Sequence, residues 1–235
     1  LFIFAILNPT HNDIIIYRIL DTLVGALLAL FANHFFWPFW EFLNTNENIE
    51  NSIKAIRNYL LQISIFYNNK QDINSNYRLA RNQAFIEIGN LMASFQRMLQ
   101  EPKSKQNNLQ QVYKITVINN AMLSSVASLG TYTQTHKTTD ASQSFNTVIK
   151  VIISNLDQAI AILNGKKESK EIENLDRVFS EIKKIRIDEI NKSQNLNEEN
   201  LKINLQEIQL IKEQLIWLTN LSSNIVSTSK TLIQS

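Results

Sequence analysis

IIIYRILDTLVGALLALFANHFFWPFW, running from Ile14 to Trp40, is apolar over a length that few elements of soluble proteins sustain. A helix crossing a hydrocarbon core of about 30 Å takes about 20 apolar residues. Between Ile19 and Trp40 the only formal charge is Asp21. Tyr17 stands near one end and Trp37 and Trp40 at the other, where amphipathic rings favour the headgroup layer. Residues 14–40 therefore read as a transmembrane helix, ended by Pro38 and then by Asn44-Thr45-Asn46. The competing reading is a core helix of a soluble domain, which at this length is usually interrupted by more polar residues.

Working outward, residues 1–7 form a short apolar run with no initiator Met, expected as the end of a preceding crossing, and residues 8–13 form the loop between the two. A signal peptide would carry a basic leader and a small-residue cleavage site, and neither pattern is there. The expectation is a C-terminal piece of a longer chain. The loop has no Lys or Arg, whereas Lys54 and Arg57 follow the crossing, and basic residues favour the cytoplasmic side. The long C-terminal part is accordingly expected in the cytoplasm, below a bacterial inner membrane.

Inside the crossing, Arg18 and Asp21 are spaced i, i+3 and project from one face, so they can pair. Ionisable residues at membrane depth usually face a bundle interior or a wet cavity. One reading makes the pair the lining of a path for an anionic substrate or a proton; the other makes it an interfacial ion pair that fixes helix position, with Arg18 snorkelling. Gly25 and Ala29 make a small-xxx-small face suited to close helix packing. His34 reads as an interface residue, because no second ligand stands at metal-binding spacing.

After Trp40 the pattern changes to successive amphipathic helices. Ile49, Ile53, Ile56, Leu60 and Ile63 recur at helical spacing. Tyr77, Ala80, Ala84, Ile88, Leu91, Phe95 and Met98 do so in a second helix, stopped by Glu101-Pro102 because the residue before proline disfavours the helical region. A third spans about 108–135 and a fourth starts near Asp140 and ends at Asn164-Gly165. Residues 46–164 thus read as a helical bundle and residues 165–196 as a charged amphipathic segment. Residues 197–235 read as a long last helix with Leu201, Leu205, Ile208, Ile211, Leu215, Leu218, Leu221 and Ile225 on one side. The expected class is all-α: a transmembrane helix followed by an antiparallel cytoplasmic bundle.

Composition narrows the functions. Gly 4 and Pro 3 in 235 residues are too few for the turns of an all-β fold. Lys+Arg 23 against Asp+Glu 21 leaves a charge of +2 and no basic cluster, so no nucleic-acid partner is expected. With Cys 0 there is no thiolate site, and no phosphate loop, zinc-protease helix or Ser-His-Asp arrangement is present. No catalytic, metal or cofactor residues are expected, and the chain does not read as an enzyme. His136 reads as a helix-end dipole partner. Arg78 and Arg81, i, i+3 on the second bundle helix, suit either an anion or carboxylates on a neighbouring helix.

Three stretches together resemble one family. Arg18-Ile19-Leu20-Asp21-Thr22-Leu23-Val24-Gly25, followed by Trp37-Pro38-Phe39-Trp40, resembles the final crossing of the fusaric acid resistance protein-like family. Tyr77-Arg78-Leu79-Ala80-Arg81, leading to Met98-Leu99-Gln100-Glu101-Pro102, is similar to an element that follows that crossing, and Asn120 to Gly130 looks like the helix after it. The match covers roughly residues 14–136. It implies a multi-spanning inner-membrane protein of exporter type, linked in some members to aromatic carboxylic acids, with Arg18, Asp21, Arg78, Arg81, Glu101 and Pro102 as motif residues. The expected partners are the lipid bilayer, the remaining transmembrane helices of a longer protein and further copies of the chain. The alternative is a membrane-anchored helical scaffold without transport, and a third reading is a soluble bundle with a greasy first helix.

Overall fold

The computed structural model describes residues 12–35, 42–69, 75–103, 106, 108–135, 143–166, 180 and 198–234. All regular structure among them is helical, as the scarcity of glycine and proline requires. The chain divides into two compact units, Leu1–Trp40 and Glu41–Ser235.

The first unit is built on α1, Asn12–Phe35, 24 residues long, or about 36 Å at 1.5 Å per residue. Every side chain from Ile16 to Ala32 is exposed, including Leu20, Leu23, Val24, Leu27, Leu28 and Leu30. No face of the helix is buried as a core helix would be. A helix that is apolar nearly all round and exposed over these residues suits hydrocarbon rather than water as its solvent. Trp37, Pro38, Trp40 and residues 1–11 lie outside the described residues, as does the side chain of His34.

The second unit is a bundle of α2 (Phe42–Asn69), α3 (Ser75–Met98), α4 (Leu109–Thr135), α5 (Gln143–Leu163) and α6 (Glu198–Gln234). Asn44-Thr45-Asn46, expected to end the crossing, instead lies inside the first turns of α2, where Thr45 is buried. Helix α2 packs on α3, α4 and α5, and α6 packs on α4 and α5. These contacts close α2, α5, α6 and α4 into a ring, with α3 lying along α2 and α4. The expected stripe of α2 is the core: Ile49, Ile53, Ile56, Leu60 and Ile63 are all fully buried. Each contributes about 1.5–3 kcal/mol relative to exposure.

Side-chain pairs fix the directions. Glu50 with Asn164, Arg57 with Asp157 and Asn68 with Asn146 join α2 to α5 in one constant antiparallel register. Lys54 and Asn164 both hydrogen-bond the Glu50 carboxylate, at 2.6 and 2.7 Å, and hold its pKa below the ordinary value. Phe95 meets Tyr113 and Tyr77 meets Gln134, so α3 and α4 are antiparallel too. Asn108, at the start of α4, donates to the carbonyl of Leu232 near the end of α6. Helices α5 and α6 therefore run in the same direction, and Lys166 and Glu198 lie toward opposite ends of the bundle. Simple alternation holds from α2 to α5 and gives way there to a parallel neighbour. Helix α5 ends in a Schellman turn: Gly165 takes φ 68°, its N–H bonds Ile162 O, and Lys166 N–H bonds Ala161 O. Asp140, the expected cap of α5, and nearly all of 165–196 lie outside the described residues.

Helix α5 is itself long and apolar enough, over Phe145–Leu163, to cross a bilayer. Its apolar residues are committed elsewhere. Phe145, Val148, Ile149, Ile152, Leu156 and Ala159 are buried in the bundle, and its outer side carries Lys150 and the Arg57-paired Asp157. It is a core helix.

Buried amides lock the two parallel neighbours in register. Asn119 of α4 donates to Ser52 of α2 at 2.9 Å, and Asn155 of α5 donates to Ser222 of α6 at 3.0 Å. Each serine in turn donates to the carbonyl three residues before it, Ile49 and Thr219. Asn119 is fully buried, and its Oδ1 already has no partner among the described residues. Removing Ser52 strands the amide donor as well, whereas removing Asn119 takes the orphan away. Ser52→Ala is thus expected to cost about 1–3 kcal/mol and Asn119→Leu distinctly less, measured by thermal unfolding in detergent. The reverse order would mean that the pair does not hold α2 and α4 together.

Candidate functional site

On α1 the helical repeat gathers Arg18, Asp21, Thr22, Gly25, Ala29 and Ala32 onto one sector, while Ile19, Leu20, Leu23, Val24, Leu27 and Leu30 occupy the rest. The division separates a small, polar face from a bulky one. Thr22 satisfies its hydroxyl internally by donating to the carbonyl of Arg18 at 2.8 Å, as a hydroxyl at membrane depth must. Arg18 and Asp21 do not form an ion pair with each other, nor with any other described residue. Gly25 would have nothing within 4 Å of an added Cβ, and Ala29 is equally open. The face predicted for packing is present with its small residues, and both charges are without an ion-pair partner among the described residues.

In the bundle, the motif residues separate. Arg78 and Arg81 sit in the first turns of α3, while Glu101 and Pro102 follow its other end, about 36 Å away along a 24-residue helix. Neither arginine forms an ion pair with a carboxylate among the described residues. Arg78 is exposed, and Arg81 lays its guanidinium over the Phe85 ring, 5.6 Å from the centroid. Glu101 and Pro102 make a corner. The N–H of Glu101 bonds Met98 O at 3.2 Å, and the Gln106 amide donates to the carbonyls of Leu99 and Glu101 at 3.2 and 2.8 Å. Pro102 has no N–H to continue the ladder, so the side chain of Gln106 caps what the proline leaves open.

What the structure does bring together is Tyr77 of the second motif and Gly130 of the third. The hydroxyls of Tyr59 and Tyr77 lie 3.3 Å apart, and Gln134 donates to Tyr77 at 2.6 Å. The two rings meet edge-on with centroids 5.6 Å apart. Gly130 makes the room: a Cβ there would lie 2.7 Å from the Tyr77 hydroxyl and 2.8 Å from that of Tyr59. Burial, then the hydrogen bond to Tyr77, push the Tyr59 phenol well above its usual range, with Arg81 opposing weakly. A phenol held neutral in this way packs and donates; it does no acid–base work near neutral pH. Sequence reasoning missed Tyr59 and Gln134 in this cluster, and the available signal was a lone glycine in a helix packed against two others that each supply a tyrosine.

The described residues define an all-α protein, and an exposed apolar helix with a small, charged face suits a membrane. Comparison with known proteins agrees. The chain is homologous to the inner membrane protein YccS of Escherichia coli, 27% identical over 120 residues, which cover 51% of this chain and 17% of that protein. It is also 30% identical over 164 residues to an uncharacterized protein of Haemophilus influenzae, covering 66% of this chain and 23% of that one. The chain thus spans about a fifth of the length of these relatives. No family model matches the chain, and no solved structure does.

Proposed function

We propose that the chain is part of an efflux-type transporter of the bacterial inner membrane, exporting organic acids, aromatic ones among them. In this reading α1 supplies one helix of the membrane block, and the bundle braces that block from the cytoplasm and joins copies into a homo-oligomer. The observation that carries it is the α1 face on which Arg18 and Asp21 stand unmatched. Charges at membrane depth are costly, and ones without an ion-pair partner among the described residues are available to a neighbouring helix, a coupling proton or an anionic substrate. Homology to YccS and the motif resemblance support the same reading.

In the full-length protein, Arg18→Gln and Asp21→Asn are each expected to cut export of an aromatic carboxylate at least tenfold, with protein levels in the membrane unchanged. Unchanged export in both variants would remove these residues from the mechanism. The second reading is a membrane-anchored scaffold without transport. The exposed apolar stripe of α3 favours it, whereas the named stripe of α6 from Ile211 to Ile225 is spent on the core. Wild-type protein that moves no organic acid in vesicles decides for the scaffold.

A further inference from the structure

Helix α3 is apolar on two sides. Its inner stripe, Tyr77, Ala80, Ala84, Ile88, Leu91 and Met98, is buried in the bundle. Its outer side exposes Leu79, Phe85, Ile86, Met92 and Leu99, at 40–68%. These residues fall into two rows that repeat every seven positions: Leu79, Ile86 and Ala93 form one, and Phe85, Met92 and Leu99 the other. Between them runs a third row of Asn82, Gly89 and Gln96. A strict seven-residue repeat is the spacing of a seam between supercoiled helices, not the drift of a face turned to water. The polar residues Asn76, Gln83, Glu87 and Asn90 occupy the remaining sector.

Two features say what covers the stripe. The first is its symmetry about Gly89. Residues equally far on either side of that glycine match in kind: Leu79 and Leu99, Asn82 and Gln96, Phe85 and Ala93, Ile86 and Met92. A two-fold pair of antiparallel helices crossing at Gly89 brings each of these to one level, apolar beside apolar and amide beside amide. An isologous interface requires such self-complementarity; an unrelated partner does not. The second is Gly89 itself. Glycine in a helix interior is destabilising relative to alanine, and nothing among the described residues calls for it here: an added Cβ would meet none of their atoms within 4 Å. Close approach by a backbone from outside gives it a purpose.

We propose that the outer face of α3 is the surface on which two copies of this chain pair, antiparallel and two-fold symmetric about Gly89. The proposal rests on the homo-oligomer reading above but not on transport. The amides of Asn82 and Gln96 fix register across the seam, and Arg78, seven residues before Phe85, and Arg81, whose guanidinium lies over the Phe85 ring, border it at the start of α3.

The chain holds no cysteine, so an introduced one is its only thiol. Under mild oxidation in membranes, Gly89→Cys is expected to yield a disulfide-linked dimer, and Gln83→Cys on the polar sector to stay monomeric. Orientation is read by co-expressing two tagged chains, one carrying Phe85→Cys and the other Met92→Cys. The mixed dimer should exceed either like-with-like dimer severalfold, whereas parallel pairing gives the opposite. Gly89→Leu should lower the dimer fraction, measured by light scattering in detergent, with helical circular dichroism unchanged. An oligomer that fails to cross-link at position 89 overturns this surface and leaves the homo-oligomer reading standing; a monomeric wild type overturns both.

Discussion

Replacing Gly130 with valine is expected to destabilise the bundle by about 3 kcal/mol or more, combining an overpacking cost of about 1–3 kcal/mol with the loss of hydrogen bonds worth about 1 kcal/mol each. The added Cβ has nowhere to go. It would stand 2.7 and 2.8 Å from two hydroxyls and 3.1 Å from the Ile63 side chain. Those hydroxyls belong to almost fully buried tyrosines, and Phe66 presses on Tyr77 with ring centroids 5.7 Å apart. Retreat would break the Tyr59–Tyr77 contact and the bond from Gln134. Alanine meets the same clash but regains about 1 kcal/mol of helix propensity, so Gly130→Ala should lose only about 1–2 kcal/mol. Adding Tyr59→Phe removes one of the two nearest atoms. The double variant should therefore be more stable than the sum of the single effects predicts, by about 1 kcal/mol. Thermal unfolding in detergent, followed by circular dichroism, reads wild type, Gly130→Val, Gly130→Ala, Tyr59→Phe and the double variant. Additive effects, or a Gly130→Ala protein more stable than wild type, would show that Gly130 is not what admits the tyrosine pair.

That glycine also marks where sequence reading stopped. The apolar stripes of α2, α3 and α5 were legible because burial at helical spacing leaves a period: Ile49 through Ile63, Tyr77 through Met98 and Phe145 through Ala159 recur every three or four residues and are buried. Phe95 is the exception on α3, half-buried beside the fully buried Ser94. The start of α2 was misjudged because Asn44-Thr45-Asn46 reads as a breaker, although polar residues suit the first turn of a helix. The amide–serine pairs were invisible because Asn119, Ser52, Asn155 and Ser222 look like surface residues until their partners from distant helices are seen. Arg78 and Arg81 were weighed as anion or carboxylate partners because charge is what a sequence displays. The Phe85 ring that receives Arg81 lies on the same helix, four residues on, at a spacing the charge argument passed over. On α1, by contrast, Arg18, Asp21, Gly25 and Ala29 share the one small, polar face that their spacing alone implies.

Two arginines on the bulky side of α1 are expected to release the 235-residue chain from the membrane. Leu23 and Leu27 lie near the middle of the helix, one turn apart, both exposed and both away from the Arg18–Gly25 face. Arginine at the centre of a spanning helix costs about 2.5–3.5 kcal/mol by insertion measurements, so Leu23→Arg with Leu27→Arg removes about 5–7 kcal/mol from partitioning. After alkaline carbonate extraction, wild type should remain in the membrane pellet and the double variant in the supernatant. The control is Ile152→Arg in α5, which by length and composition could itself span a membrane. Ile152 is fully buried among the bundle helices. A buried, unpaired charge there should unfold the bundle while leaving the chain anchored through α1. If Ile152→Arg releases the chain and the α1 variant does not, α5 is the membrane helix. The uncovered apolar surface of α1 would then have to be met by protein rather than by lipid.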